Sequence, residues 1–222
     1  MDFIFMLTRQ DRTVPDSLDV LAQIAPLGLK HIGFKDIGAD EPTLRALNAG
    51  IKSLGAQTYM EVVATSPEAE LNSARIAAST GVDHLLGGTQ AAEILRLLQG
   101  TGVKYYPFPG TPIGHPTQLG GDAAQIATHT ADFIAQGCAG VDLLAYRATE
   151  SDPLDLVRAA RTACGRRKKL ICAGGVDSPA RIAALRAAGA DAFTIGSAAF
   201  DGKFAPGKPG LIAQLQDILA CV

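Results

Sequence analysis

The sequence predicts an α/β fold of the (β/α)8 TIM-barrel class, on three observations. Eight short apolar runs are each followed by a stretch of helical period; the last two runs end in glycine pairs; and all 222 residues continue this series without a linker or low-complexity segment. Strictly alternating βα units demand parallel strands joined by right-handed crossovers, and eight of them can close on themselves and leave no exposed edge. An open doubly wound sheet is the rival built from the same units.

Taken in order, the expected strands are Phe3 to Thr8, His31 to Lys35, Thr58 to Ala64, His84 to Leu86, Lys104 to Phe108, Val141 to Tyr146, Leu170 to Ala173 and Ala192 to Ile195. Each is a short, mainly apolar run followed by a polar or glycine-containing loop. Expected helices include Ser17 to Ala25, Pro67 to Ser79, Asp122 to Gln136, Pro153 to Cys164 and Pro179 to Ala187. The length suits one barrel domain spanning residues 1–222.

Composition agrees and excludes some function classes. Hydrophobic residues make up 47% and aromatics only 5%, as suits small helices packed on a parallel sheet. A net charge of -2 gives no attraction to nucleic acid, and the single basic run, Arg166 to Lys169, falls between a helix and a strand where water solvates it. No apolar run approaches the ~20 residues of a membrane span. The four cysteines lack Cys-x-x-Cys spacing and follow no secretory segment, so the expected location is the reducing cytoplasm.

Three Gly-x-Asp triplets, Gly81-Val82-Asp83, Gly140-Val141-Asp142 and Gly189-Ala190-Asp191, each close a helix and open a strand. Glycine takes the left-handed cap and the aspartate bonds loop amides, so all three aspartates, Asp142 included, read as structural. The chain also repeats itself. Ser66-Pro67 through Gly81-Val82-Asp83 to Gly87-Gly88-Thr89 has the order of Ser178-Pro179 through Gly189-Ala190-Asp191 to Gly196-Ser197, with the first copy four residues longer. Strands three and four thus read as a copy of strands seven and eight.

In a parallel barrel, function collects at the carboxyl ends of the strands, and the loops after strands seven and eight frequently hold phosphate. Gly174-Gly175 occupies the first of these loops and Gly196-Ser197 the second. Glycine lets a phosphate approach backbone N–H groups without a Cβ in the way, Ser197 adds a hydroxyl, and helices starting near Ser178 and Ala198 add favourable dipoles. Tight βα turns are the plain alternative for either pair alone.

The stretch Ala173-Gly174-Gly175-Val176, Ala188-Gly189-Ala190-Asp191, Ile195-Gly196-Ser197-Ala198 resembles the ribulose-phosphate-binding barrel superfamily, which includes the histidine- and tryptophan-biosynthesis barrels, pentulose-phosphate epimerases and the orotidylate decarboxylase group. The motif covers roughly residues 170 to 202 and the βα order the whole chain. The resemblance implies a phosphorylated small-molecule substrate. Flavin barrels hold the phosphate of FMN with a similar segment, so the motif does not exclude FMN. Bisphosphate-binding members use two such sites, and Gly87, Gly88 and Thr89 stand where the second would be; an inherited turn is the other reading.

Strand two ends in Gly33-Phe34-Lys35-Asp36, and alternation turns Lys35 toward the barrel axis, where an ammonium requires an anion. This resembles the lysine and aspartate array of the decarboxylase group, although that group spaces it as Asp-x-Lys-x-x-Asp. Glu61 is a lone carboxylate in the apolar third strand, facing the same low-dielectric interior that suits a general acid or base. An ion pair with Lys35 is its plain alternative. His115 lies on the long loop after strand five, a place for substrate covers. Arg9 and Arg147 follow strands one and six, and a guanidinium there suits a carboxylate or phosphate. Lys104 in Lys104-Tyr105-Tyr106-Pro107 is similar to the lysine of Schiff-base keto-acid aldolases but begins its strand, at the other end of the barrel.

These residues define the expected function: an isomerase, epimerase or lyase acting on a small phosphorylated sugar or keto compound by proton transfer next to a carbonyl. Glu61 and Asp36 serve as acid and base, and Lys35 holds the enolate. The alternatives are a Schiff-base aldolase with Lys35 as nucleophile, a phosphometabolite-sensing barrel without chemistry, and an FMN enzyme. No cofactor is required, no local spacing signals a metal although a divalent ion assembled from separate strands is not excluded, and a homo-oligomer is compatible with the composition.

Overall fold

The computed structural model describes residues 1–64 and 66–222. Eight parallel strands form its centre: β1 (Asp2–Met6), β2 (His31–Lys35), β3 (Gln57–Glu61), β4 (His84–Leu86), β5 (Lys104–Tyr106), β6 (Gly140–Leu143), β7 (Lys169–Cys172) and β8 (Ala192–Ile195). They hydrogen-bond in the order β6-β7-β8-β1-β2-β3-β4-β5. Between the two ends of that series, Ala139 N–H donates to Tyr105 O and Asp142 N–H to Pro107 O, each at 3.0 Å. These bonds draw the sheet into a nearly closed barrel and decide against the open sheet.

Around it run α1 (Ser17–Ile24), α2 (Glu41–Ser53), α3 (Pro67–Thr80), α4 (Ala91–Leu97), α5 (Ala123–Gln136), α6 (Pro153–Cys164), α7 (Pro179–Ala188), the single turn α8 (Ser197–Phe200) and α9 (Leu211–Leu219). Their starts are written locally. Asp40, Ser66, Asp122, Asp152 and Ser178 each cap a helix by accepting from a backbone N–H two or three residues on, and such a cap is worth about 1 kcal/mol. Gly81, Gly137 and Gly189 end three helices in the left-handed conformation. No helix among the described residues is long and apolar enough to cross a membrane.

Strand alternation builds two cores. Ile32, Phe34, Met60, Leu85, Val141 and Leu143 face outward and are buried under the helices. Ile4, Met6, Tyr59, Leu86, Tyr106, Ile171 and Ala192 fill the inside. Toward the amino-terminal end of the barrel, Tyr59 and the ring of His84 stack with centroids 4.2 Å apart, and the Tyr59 hydroxyl meets His31 Nδ1 at 3.1 Å. Lys104 is exposed at the start of β5, at that same end.

Of the boundaries that depart from expectation, two matter for the site. β1 stops at Met6, because Thr8–Arg9 turns back on Arg12–Thr13 as a small antiparallel hairpin with Gln10 and Asp11 at positive φ. β6 begins at Gly140, so Asp142 is its third residue and lies beside the inward-facing Ile171 of β7. Asp83 and Asp191 instead precede their strands and bond backbone N–H groups of Thr58 and Leu170, as the sequence implies. Asp142 therefore departs from the structural role assigned to it.

Candidate active site

A cavity of about 200 Å³ opens at the carboxyl ends of the strands. That is below the ~300–1,000 Å³ of drug-sized pockets and on the scale of a small metabolite. Met6, Thr8, Asp11, Lys35, Glu61 and Thr194 line its inner part, with Arg147, Gly174, Gly175, Gly196, Ser197 and Lys203 around the rest of its wall.

Lys35 organises the inner end. Its Nζ lies 2.9 Å from Asp11 Oδ1 and 3.0 Å from Glu61 Oε1, with all three residues buried. The geometry follows from register: Lys35 on β2 is paired directly with Glu61 on β3, so two inward side chains meet. Arg147, at the end of the turn after β6, donates NH1 to Asp11 Oδ2 at 2.5 Å and NH2 to Asp11 Oδ1 at 2.6 Å. Burial alone would lower the Lys35 ammonium, but the Glu61 and Asp11 carboxylates outweigh it and hold its pKa above the usual value. Burial would raise the Asp11 carboxyl, and the hydrogen bond from Arg147 together with the Lys35 charge drives it well below the usual carboxylate range.

Four opposite charges thus balance in one cluster. Beside them stands Asp142, fully buried, and neither of its carboxylate oxygens has a hydrogen-bond partner among the described residues. Burial, reinforced by the Glu61 charge and only partly offset by Lys35 and Arg147, pushes its pKa far up. A buried carboxylate without donors is costly enough that the group keeps its proton instead.

The outer end is a backbone cradle. Gly174 and Gly175 both have positive φ, and a Cβ on Gly174 would collide with the Arg147 guanidinium. A Cβ on Gly196 would lie 2.6 Å from both the carbonyl oxygen and the hydroxyl of Thr8. These glycines therefore do two jobs: they allow close packing of the strand ends, and they leave the main chain bare toward the cavity. Ser197 and Ala198 begin α8, so their N–H groups have no intrahelical acceptor. Ser197 Oγ accepts from Gln10 N–H at 3.1 Å, which leaves the hydroxyl proton free to donate.

The sequence-predicted residues divide accordingly. Lys35, Glu61, Arg147, Gly174, Gly175, Gly196 and Ser197 come together around this one cavity. Asp36 does not line it. One position after the inward Lys35, it points to the other side of the sheet, where it accepts from Val63 N–H at 3.0 Å and Ser73 Oγ at 2.5 Å, fastening the end of β2 to the loop after β3 and to α3. Arg9 is turned outward and pairs with Asp201 at 2.6 Å. His115 is exposed at the tip of the hairpin formed by Thr111–Ile113 and Gln118–Gly120, outside the cavity wall. That hairpin nevertheless reaches the site through Thr117, whose N–H donates to Asp11 Oδ2 at 3.2 Å and whose carbonyl accepts from Arg147 at 3.0 Å.

The second anion site at Gly87, Gly88 and Thr89 is filled from within the chain. Glu70 Oε2 accepts from Thr89 N–H at 2.7 Å and from Gln90 N–H at 3.0 Å. Sequence reasoning missed Glu70, Asp11, Asp142 and Lys203. Asp11 had one signal, its place just after the first strand; the others are set by packing. Among the described residues no group of three or more His, Cys, Asp or Glu side chains is arranged to hold a metal ion.

No family model and no curated protein matches the chain. Solved structures match it over essentially its whole length. Orotidine 5'-phosphate decarboxylase from Pyrococcus horikoshii OT3 superposes with a TM-score of 0.69 at 11% identity, over 99% of this chain and 98% of that one. For 3-hexulose-6-phosphate synthase the values are 0.67 and 18%, over 100% of both chains. The native KDPGal structure gives 0.67 and 14%, over 100% of this chain and 96% of that one. These matches bear out the (β/α)8 barrel fold. At these identities the likeness shows the fold alone, and the chemistry has to be read from the residues.

Proposed function

We propose that the protein is an enzyme acting on a small phosphorylated carbohydrate or related keto compound by proton transfer next to a carbonyl. The observation that carries this reading is that one cavity has a buried Lys35–Glu61 pair at its inner end and the glycine cradle at its outer end. In this reading the phosphate rests on the N–H groups around Gly174, Gly175, Ser197 and Ala198, with the Ser197 hydroxyl and the Lys203 ammonium at the rim. It acts as a remote handle that fixes the reacting carbons.

At the inner end the substrate carbonyl oxygen faces the Lys35 ammonium. Glu61 removes a proton from the neighbouring carbon, leaving an enolate whose charge Lys35 holds; the proton returns either to the former carbonyl carbon, with one proton passing between the two oxygens, or to the opposite face of the same carbon. This is an isomerisation or epimerisation; carbon–carbon cleavage through the same enolate is the lyase version. Asp36, expected as partner of Glu61, takes no part.

The Schiff-base alternative fares worse, because a lysine nucleophile must lose its proton and the two carboxylates around Lys35 hold it as a cation. The size of the cavity favours a sugar phosphate over the bulkier FMN. Incubation with a panel of aldose and ketose phosphates in deuterated water tests the proposal: wild type incorporates solvent deuterium next to the carbonyl, and Glu61→Gln lowers that rate by about 10²–10⁴-fold. Unimpaired exchange in Glu61→Gln refutes the assignment.

A further inference from the structure

The internal repeat gives the rim a second glycine-bearing loop, after β4, and the chain treats it differently from the loop after β8. Aligning Asp83 with Asp191 brings Gly88 onto Gly196 and Thr89 onto Ser197, and aligning Ser66-Pro67 with Ser178-Pro179 brings Glu70 onto Ile182. Ile182 is buried and apolar, so nothing on α7 reaches for the backbone donors of the β8 loop. Glu70, only 2% exposed, extends from the equivalent place on α3 and takes the N–H groups of Thr89 and Gln90. The Thr89 hydroxyl adds a longer bond to Glu70 Oε1 at 3.3 Å.

We infer that Glu70 is a built-in anion occupying the place of a second phosphate, so that the site takes substrates with one phosphate group and discriminates against bisphosphates. This rests on the proposed phosphate-handling function and narrows its substrate class. The physical argument is competition for donors. A carboxylate tethered on a helix is always present at the loop, and a ligand phosphate reaching it would have to displace a buried, doubly bonded side chain and would meet its charge at contact distance. A Cβ on Gly88 would sit 3.1 Å from Glu70 Oε2 and 3.3 Å from the Tyr105 hydroxyl, so the carboxylate fills the space that the glycine leaves. The remaining anion-binding capacity of the rim is the β7–β8 cradle.

Calorimetric titration with inorganic phosphate tests this. Wild type is expected to bind one equivalent, lost in Ser197→Asp, and Glu70→Ala to bind two. Two equivalents on wild type, or one on a folded Glu70→Ala protein, overturn the inference. No binding to wild type but one equivalent on Glu70→Ala supports the role of Glu70 while removing the β7–β8 reading, so the two failures are distinguishable. Should Glu70→Ala fail to fold, wild type still decides through competition between fructose 6-phosphate and fructose 1,6-bisphosphate for the cavity. The monophosphate is expected to bind at least as tightly, and a bisphosphate preference of tenfold or more contradicts the inference.

Discussion

Lys35 Nζ lies 3.0 Å from Glu61 Oε1, in an ion pair between directly registered residues of adjacent strands and almost wholly out of contact with solvent. Such a pair is weak evidence for stability, since desolvation consumes much of the Coulomb gain, but breaking it leaves a bare charge. Lys35→Met is therefore expected to destabilise the fold by about 3–5 kcal/mol. Chemical denaturation measures the loss, and a change below about 1 kcal/mol would contradict this account of the cluster.

Asp142 makes a pH-dependent prediction. Its folded pKa lies well above the 3.8 of an unperturbed aspartate, so between those two values the folded state holds a proton that the unfolded state has released. Stability contributed by this group falls as pH rises through that window. Asp142→Asn removes the titration, so its melting temperature relative to wild type should rise as pH climbs through that window. A constant difference across that range would place an ionised Asp142 in the folded protein.

Asp36 separates position in the chain from position in space. Asp36→Ala removes an acceptor from Val63 N–H and Ser73 Oγ and is expected to cost about 1–3 kcal/mol of stability. Turnover of a phosphorylated substrate should stay within a few-fold of wild type at temperatures where the variant is folded. A loss of a hundredfold would return Asp36 to the chemistry.

Gly174→Ala tests the cradle. The residue has φ +73, and an added Cβ would collide with Arg147. The left-handed conformation alone costs about 1–2 kcal/mol in a residue with a Cβ. The shift of Arg147 should loosen Asp11 as well. The expected result is a rise in KM for the phosphorylated substrate that exceeds the fall in kcat, read from steady-state kinetics.

Much of this could be read from the chain because period and punctuation are local. The eight units, the helix starts near Pro67, Asp122 and Pro179, and the inward direction of Lys35 and Glu61 all follow from alternation and turn chemistry. Asp142 was misread because its Gly-x-Asp triplet matches two others. Those two aspartates precede their strands, whereas β6 starts at Gly140 and carries Asp142 into the barrel. Asp11 reaches the cavity only through two successive residues at positive φ, a conformation that no glycine in that turn announces. Glu70 looks like one more acidic residue in the first turn of a helix, and its function depends on where the β4 loop passes.

The account stands on a phosphate bound at the outer end of a cavity whose inner end is Lys35 and Glu61. A crystal structure of the protein soaked with inorganic phosphate tests this most directly. The account predicts density within hydrogen-bonding distance of the backbone N–H groups around Gly175 and Ser197, with Lys203 drawn toward it. Density at the Thr89–Gln90 loop, or an empty cradle at saturating phosphate, would contradict it.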